Sequence, residues 1–503
     1  MSSDIPQSLL PQSDAGEMVV ISPGHFLALP RPDILTGPPA GAPDTSTVAA
    51  HDFDVDNSTG FMPPQPPLAR LPPLWEAWEL ALEDGLAAKL QLADKPDQSD
   101  TDRNRARHWQ ARVRELPVLP VTQLKESEVL LRRGHLVLTW MLHLYIRTLP
   151  LDLPELRIPP PLSIPLLQIS SHLQLPPVLT YSDTVLYNWA LIKHVPLTIA
   201  SPAPALDNLR CNTLFTGTRD EAEFYLSSAR IELRGVQALS LMRAMMDEAF
   251  VGDAIAIQRI TSYLHALAGV IGELTKLMLD VREGCDPNVF FNDIRPWFRG
   301  ADSDSPRRPW IFEGLESDPS LKEPTELSGP NAGQSAVIHA LDIFLGADRY
   351  SHASHVTGHG RSSSASASSS PSSTSSPSSS STPSPLADKP KPSVSFLARM
   401  QVYMPRHHRA FLRHLSADPR PIRNLVTESS DTSLKEAYNA AISALKVFRD
   451  AHVRIVAIYI VGPGKKGARP QEEQKGTGGT SAITFVKSVR DQIQGALLPD
   501  VEA

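Results

Sequence analysis

Cysteine is almost absent from this sequence. Only Cys211 and Cys285 occur in 503 residues, and they form no C-x-x-C motif. A disulfide framework needs several paired cysteines in an oxidising compartment, and a thiolate metal site needs a cluster of them. We therefore expect neither kind of site, and we expect the protein to work in a reducing compartment.

Targeting signals and long apolar runs are also missing. The N-terminus, MSSDIPQSLLPQSDAGEM, has no basic segment followed by an apolar core, and it is acidic rather than rich in arginine. No stretch reaches 18 consecutive apolar residues, roughly the length that a membrane-spanning helix requires. These absences argue against secretion, mitochondrial import and membrane insertion. The sequence predicts a cytoplasmic protein.

Positive charge is not in excess. The formal net charge is −7 and the isoelectric point is near 6.2, so nucleic acid is not an expected partner. One local basic run is mixed with acidic residues and is typical of a solvated helix face; it contains Arg103, Arg105, Arg107 and Arg112. A loose histidine cluster is best explained as part of a solvated loop; it contains His352, His355 and His359.

The N-terminal part of the chain changes character near residue 65. Residues 1–65 are rich in Pro, Gly, Ser and Asp, which predicts a loosely ordered extension that is docked at most in part. Residues 66–204 contain helical stretches, and proline clusters at 159–165 and 176–177 interrupt them. We interpret 66–204 as a small, mainly helical N-terminal domain, with helices over 74–93 and 129–149.

Helical periodicity dominates the rest of the chain, and almost nothing indicates extended strands. This pattern predicts an all-α fold with a helical bundle as the larger domain, formed by residues 205–350 and 394–503. Residues 351–393 separate its two parts, and the Ser/Pro-rich tract 361–393 predicts a disordered insertion. The expected helices of the bundle are two within 220–281, then 333–346, 394–415, 433–461 and 480–496.

His452 stands on the apolar face of the predicted helix 433–461, where Ser433 and Glu436 form an S-x-x-E capping box. It follows Phe448 by four residues and precedes Ile455 by three, which is the spacing of a core-facing helical stripe. A buried histidine on such a face is commonly a hydrogen-bonded core residue. The alternative is an axial haem ligand, because ferrous haem takes a neutral imidazole in an apolar pocket.

Six separated blocks of the sequence bear on this choice: LPPVLTYSDTVLYNW (175–189), FFNDIRPWFRG (290–300), AGQSAVIHALDIFLG (332–346), RMQVYMPRHHRAFLRHL (399–415), FRDAHVRIVAIYIV (448–461) and KGTGGT (475–480). In order and spacing they resemble the indoleamine 2,3-dioxygenase family across about residues 70–500. The resemblance implies an all-helical catalytic domain that holds one haem b. It also implies that L-tryptophan and O2 react to give N-formylkynurenine, the first step towards kynurenine and NAD.

The resemblance also implies roles for individual residues. His452 would be the proximal ligand of the haem iron, and Arg449 would form an ion pair with Asp342 beside the haem. Arg295 would bind the carboxylate of tryptophan, since a guanidinium matches a carboxylate in two places. Ser228 and Arg295 would act in catalysis. The remaining substrate residues would be Tyr181, Phe224, Phe290, Phe291, Ala332 and Thr477, and the haem would be lined by Asn331, Ala332 and Gly333.

Some features leave alternatives open. The related tryptophan 2,3-dioxygenases carry a distal histidine, and no histidine occurs in 219–235, which favours the indoleamine enzyme. Pro330 departs from a more glycine-rich family pattern, and the Ser/Pro insertion lengthens a loop near the active-site entrance. These departures would suit a weakly active paralogue that takes another indole. A haem-binding sensor or interaction protein is the third possibility, and we expect a monomer.

Overall fold

The computed structural model describes residues 53–193, 204–303, 308–348, 396–466, 487, 490–491 and 493–499. Most of these residues are helical, which confirms the predicted all-α fold. The α-helices are α1 Glu76–Ala87, α2 Asp100–Arg114, α3 Glu128–Arg147, α4 Pro160–Leu173, α5 Arg219–Val251, α6 Ala254–Gly284, α7 Pro287–Val289, α8 Ala336–Phe344, α9 Phe396–Met400, α10 Arg406–Ser416, α11 Ile422–Glu428, α12 Thr432–Val456 and α13 Gly462–Lys466.

Short strand pairs fasten connections between the helices. The strands are β1 Leu156–Ile158, β2 Trp189–Leu191, β3 Leu209–Cys211 and β4 Trp310–Phe312. Strands β1 and β4 are parallel, with Arg157 opposite Ile311, and strands β2 and β3 are antiparallel. Because β1 and β4 come from the two segments predicted as separate domains, the strand pair links those segments.

The small-domain core is built on α3, which is buried along most of its length. Trp78 and Trp140 are fully buried in this core, and Glu79 forms a buried ion pair with Arg133. The same cluster of apolar side chains includes Trp297 and Trp310 from the later part of the chain. The core of the small domain therefore extends into the later part of the chain.

The end of the N-terminal extension is packed against the protein. Val55, Phe61 and Met62 are all at most 2% exposed. The Phe61 ring lies 4.9 Å from the ring of His408 on α10. Of the predicted extension 1–65, the described part is thus docked through buried apolar side chains.

The bundle of the large domain is formed mainly by α5, α6 and α12. Gly252 ends α5 with a φ of 69°, and the Asp253 side chain caps α6 by accepting from the Ala256 N–H. This pair turns the chain back on itself, since glycine tolerates positive φ and aspartate is a favoured N-cap. By length and composition α6 could cross a membrane, but here one face of it packs on α5 and α12.

Several predicted helix boundaries are wrong. Asp431 caps α12 by accepting from the Leu434 N–H, so Ser433 lies inside the helix and the predicted capping box is not formed. The helix predicted over 394–415 is broken at Pro405, which lacks the N–H needed to continue α9 into α10. In contrast, Pro160 and Pro161 open α4, where a missing N–H costs nothing.

Other predictions fall outside the described residues. They include the Ser/Pro-rich tract 361–393, the histidine cluster at His352, His355 and His359, and Thr477 with its glycine-rich segment. Of the predicted helix 480–496, only residues 487, 490–491 and 493–496 are described.

Candidate active site

A deep cavity lies where α5, α8 and α12 meet the loop before α8 and the segment around Tyr181. Its walls are mostly apolar and aromatic, as in typical small-molecule sites. The lining residues are Tyr181, Thr184, Val185, Phe224, Tyr225, Ser227, Ser228, Ile231, Met278, Val281, Phe290, Arg295, Phe298, Pro330, Asn331, Ala332, Gly333, Ser335, Ile338, His339, Leu397, Phe448, Arg449, His452, Ile455, Val456, Tyr459 and Ile460.

The charged groups of this wall are all basic. Among the described lining residues, Arg295 and Arg449 are the charged side chains, and no aspartate or glutamate is present. A guanidinium in a largely apolar setting attracts an anion more strongly than it would in water. The cavity therefore suits a ligand that carries carboxylates.

His452 projects into the cavity from α12. Phe448 and Ile455, four residues before and three after it, line the same wall. Burial lowers the pKa of His452 to about 4, because the imidazolium is poorly solvated there and the Arg449 guanidinium repels it. The imidazole is therefore neutral near pH 7, which leaves a ring nitrogen available to bind a metal ion.

Arg449 and Asp342 form the predicted ion pair, which joins α12 to α8. Both side chains are buried, with 7% and 6% of their surfaces exposed. A buried charge without its partner costs several kcal/mol. The pair therefore fixes Arg449 at the cavity wall, one helical turn before His452.

His339 is a second histidine on the cavity wall, and sequence reasoning missed it. Its Nε2 lies 2.8 Å from the Gly333 carbonyl oxygen, and its Nδ1 lies 3.3 Å from the Gln401 amide nitrogen. Burial lowers the pKa of His339, so we assign Nε2 as the donor to Gly333 and Nδ1 as an acceptor. The side chain thereby holds the loop before α8. The only sequence signal was its position three residues before Asp342.

Aromatic rings in mutual contact form one side of the cavity. Phe224 on α5 lies 4.5 Å, between ring centroids, from Phe290, and Phe290 lies 5.6 Å from Tyr459. The Tyr459 hydroxyl donates to the Cys285 carbonyl oxygen at 2.6 Å. The cavity space beside these rings, called the aromatic slot below, is apolar and can accept another aromatic ring. Tyr459 was not predicted as a site residue.

Arg295 lies on the cavity wall, whereas Phe291 lies behind it. Arg295 lines the cavity although only 3% of its surface is exposed. Its guanidinium carbon lies 5.5 Å from the centre of the Phe291 ring, within the range of a cation–π contact. Phe291 itself does not reach the cavity wall, so it supports Arg295 from behind instead of facing a ligand.

Glu232 joins two walls of the cavity from behind. Its Oε1 accepts hydrogen bonds from the Tyr181 hydroxyl at 2.9 Å and from the Ser335 hydroxyl at 2.6 Å. The carboxyl is 1% exposed, and this burial raises the pKa of Glu232 to about 7. Sequence reasoning missed Glu232, although it lies one helical turn after Ser228.

The loop before α8 is held by close backbone contact and by side-chain hydrogen bonds. A Cβ on Gly329 would lie 1.8 Å from the Phe298 carbonyl oxygen, so only glycine fits there. Gln334 accepts from the Tyr181 N–H at 2.8 Å and donates to the Gly329 carbonyl oxygen at 3.0 Å. Pro330 follows Gly329 directly and lines the cavity. The loop is thus a fixed part of the wall.

Most of the predicted site residues come together here. Those on the cavity wall are Tyr181, Phe224, Ser228, Phe290, Arg295, Asn331, Ala332, Gly333, Arg449 and His452. Phe291 and Asp342 stand behind the wall, and Thr477 lies outside the described residues. Residues more than 200 positions apart in the chain thus share one cavity.

Comparison with known proteins identifies the family. The family model described as indoleamine 2,3-dioxygenase matches residues 49–496, which is most of the chain. The chain belongs to the indoleamine 2,3-dioxygenase family. Membership supports a haem dioxygenase of tryptophan catabolism, and it confirms the resemblance inferred from the separated sequence blocks.

Individual relatives within the family are distant. An indoleamine 2,3-dioxygenase of Aspergillus candidus is 29% identical over 89% of this chain and 97% of its own length. The indoleamine 2,3-dioxygenase of Saccharomyces cerevisiae is 30% identical over 72% of this chain and 77% of its own length. A 6-hydroxytryptophan 2,3-dioxygenase of Fusarium equiseti is 26% identical over 88% of this chain and 97% of its own length. These names show that members of the family are named for more than one indole substrate.

The residues present fit haem. The neutral imidazole of His452 faces the cavity and can bind a metal ion, whereas both ring nitrogens of His339 lie within hydrogen-bond distance of Gly333 and Gln401. Arg295, together with Arg449 in its ion pair with Asp342, gives the wall a basic character that suits a ligand with carboxylates, such as haem. No group of three or more His, Cys, Asp or Glu side chains that could hold a bare metal ion occurs in the described part of the chain. These residues suit a metal that is already bound in a macrocycle, such as the iron of haem, and that needs one ligand from the protein.

Proposed function

We propose that this protein is a haem-dependent dioxygenase that converts L-tryptophan and O2 to N-formylkynurenine. In this reaction the C2–C3 bond of the indole breaks and each carbon gains one oxygen atom. The neutral His452 on the wall of a cavity with only basic charged groups, in a chain of this family, is the observation that carries the proposal. The product leads towards kynurenine and NAD, and we propose a cytoplasmic monomer as the working form.

Haem, when bound, would supply the activation of O2, and the protein would supply binding and orientation. His452 would provide the nitrogen that binds the haem iron. Arg449, held by Asp342, would lie on the same wall, and Asn331, Ala332 and Gly333 would let the backbone approach the macrocycle closely. These assignments follow from which residues line the cavity and from their charge.

Substrate binding would use the other residues of the wall. Arg295 would pair with the substrate carboxylate, and the indole would lie in the aromatic slot, packed against the Phe224 and Phe290 rings. Ser228, one turn before Glu232 on α5, would place a small hydroxyl beside the indole. The enclosed aromatic slot excludes water and fixes the ring, which is the contribution that orientation makes to rate.

A related activity on a substituted indole is the second candidate. Pro330 narrows the choice of backbone conformations in the wall, and a relative is named for 6-hydroxytryptophan. A haem-binding sensor without catalysis is less well supported, because a sensor has no need of a buried arginine beside an aromatic slot.

The test is a spectrum followed by a product assay. We expect the purified protein to show a haem absorption band that shifts when L-tryptophan is added, and to form N-formylkynurenine under reducing conditions with O2. His452→Ala should lose haem while its helical circular dichroism stays near that of the wild type. A normal haem band in this variant would exclude His452 as the ligand, and the absence of product from the haem-loaded wild type would exclude the reaction.

A further inference from the structure

Glu232 has no part in the reaction as described so far, yet it is hydrogen-bonded to two residues of the cavity wall. A single oxygen, Oε1, accepts the hydroxyl hydrogens of both Tyr181 and Ser335. The other oxygen, Oε2, is buried without a hydrogen-bond partner among the described residues. Tyr181 and Ser335 line the cavity, whereas Glu232 stands behind them.

The number of hydrogens decides what these hydroxyls can offer to a ligand. Each hydroxyl has one hydrogen and two lone pairs. Because both hydrogens point to Glu232, the hydroxyls of Tyr181 and Ser335 can only accept further hydrogen bonds, from Ser228 beside Tyr181 or from a ligand in the cavity. Burial and the nearby Glu232 charge raise the pKa of Tyr181 well above its usual value, so the tyrosine stays protonated and keeps donating.

The surrounding contacts hold this arrangement in place. The Tyr181 N–H donates to Gln334, the residue before Ser335, at 2.8 Å. Glu232 lies on α5, Tyr181 precedes the π-helix Ser182–Leu186, and Ser335 is the N-cap residue of α8. Three separate elements therefore meet at one carboxylate oxygen, and rotation of either hydroxyl would leave that oxygen short of a donor.

We propose that Glu232 is a specificity-determining, positioning residue: by taking both hydroxyl hydrogens it makes this wall an acceptor surface that selects substrates whose aromatic ring carries a hydrogen-bond donor. This inference rests on the proposed function, since it concerns the same cavity and an indole substrate. The ring N–H of tryptophan is such a donor. A ring of the same shape without a donor would leave the hydroxyl lone pairs unpaired in a buried site, which costs affinity.

The test compares two ligands that differ in the ring donor alone. L-tryptophan and 3-(1-benzothiophen-3-yl)-L-alanine have the same amino-acid group and similar shape, but sulfur replaces the ring N–H in the second. Dissociation constants for both, measured by the change in the haem spectrum of the holoenzyme, give a selectivity ratio. For the wild type we expect about a threefold to tenfold preference for tryptophan, the size of one ordinary hydrogen bond.

Two substitutions of Glu232 separate the possible roles. Glu232→Gln keeps a carbonyl oxygen that can accept from both hydroxyls, so the selectivity ratio should remain near that of the wild type. Glu232→Leu removes the acceptor and frees both hydrogens to point into the cavity, so the ratio should fall to about one. If both variants lose the preference for tryptophan over the sulfur analogue, the negative charge of Glu232 causes the preference, and the proposal is overturned.

A structural role would change affinity without changing selectivity. If Glu232→Leu weakens both ligands equally, Glu232 merely holds the wall together and the proposal is wrong. Tyr181→Phe should lower the ratio, and adding it to Glu232→Leu should lower it no further, because both changes act on one hydroxyl. Glu79→Gln is the control for loss of a buried carboxylate, since Glu79 pairs with Arg133 away from the cavity.

The proposed function fails in a different way. If the haem-loaded wild type binds neither ligand, the tryptophan assignment itself is wrong. If it binds tryptophan and makes product but shows no preference over the sulfur analogue, only the inference about Glu232 is overturned.

Discussion

At the scale of single residues, the site depends on a few charged side chains buried among apolar ones. Arg295, Arg449 and Glu232 are each at most 7% exposed. Burial makes each charge costly unless it has a partner. It also makes each charge effective toward a ligand, because little water screens it. Substitutions at these positions should therefore have large and specific effects.

Arg295 provides the sharpest test of substrate binding. Arg295→Ala should raise the KM for L-tryptophan by about one to two orders of magnitude, the value of a charge-assisted hydrogen bond. It should also lower kcat, because the substrate loses its orientation. Arg295→Lys should recover little, since an ammonium cannot reproduce the planar fork. Steady-state kinetics with matched haem content would check this.

The matched control for Arg295 is Arg259→Ala, which removes an exposed arginine paired with Glu248. We expect its kinetics to equal those of the wild type. Unchanged KM and kcat in Arg295→Ala would remove Arg295 from the substrate site.

Glu232 should make stability depend on pH. Its pKa is raised from 4.5 to about 7 in the folded protein, so the folded state binds more protons than the unfolded state between these values. The free energy of unfolding should therefore fall as pH rises through this window, by about 3 kcal/mol in total. Chemical denaturation at about pH 5 and pH 8 measures the fall, and Glu232→Gln should remove it.

The comparison between Glu232→Gln and the wild type cancels the contributions of other titrating groups. Parallel pH profiles for the two proteins would mean that Glu232 is ionised across the whole window in the folded protein, as it is in the unfolded chain.

At the scale of elements, three π-helices deliver residues to the cavity. They are Ser182–Leu186, Phe290–Ile294 and Ala457–Val461. Each contains at least one lining residue, such as Val185, Phe290 or Tyr459. A π-turn shifts the side chains relative to a regular helix, which is why such turns occur often at functional sites.

The loop before α8 depends on a glycine at a backbone crossing. Gly329→Ala would place a Cβ 1.8 Å from the Phe298 carbonyl oxygen, so one of the two segments must move. We expect a loss of stability of about 1–3 kcal/mol, as for other overpacked sites. Haem affinity should also fall, because Pro330 to Gly333 line the cavity. Thermal unfolding and haem titration would measure both effects.

Gly272→Ala is the control for Gly329→Ala. Gly272 lies on the exposed side of α6, and a Cβ there would meet nothing within 4 Å. Alanine should stabilise this helix by up to about 1 kcal/mol. A Gly329→Ala variant as stable as the wild type would show that the crossing is not tight.

At the scale of the whole molecule, the Ser/Pro-rich tract should contribute little to stability. It lies outside the described residues, but its composition offers few apolar side chains to pack. Loop length costs only about 0.6 kcal/mol per doubling. Deleting residues 361–390 should therefore change the melting temperature by about 2 °C or less. A fall of many degrees would mean that the tract packs on the core.

Much of the architecture could be predicted from local pattern. The long helices α5 and α6, the helix carrying His452 and the nearly strand-free composition follow from apolar spacing that repeats every three to four residues. Helix boundaries were less accurate, because they depend on which of several polar residues near an end makes the cap. Asp431 and Ser433 both favour such a position, and only the folded chain shows that Asp431 takes it.

The sequence by itself determined the helical fold, the family and ten residues of the cavity wall, because periodicity and separated motifs are properties of the chain alone. Only the tertiary structure decided that Phe291 supports Arg295, that His339 holds Gly333, and that Glu232 takes the hydrogens of Tyr181 and Ser335. These contacts join residues from distant parts of the chain. No local pattern encodes such a pairing, since burial and hydrogen-bond direction are settled only when the helices pack together.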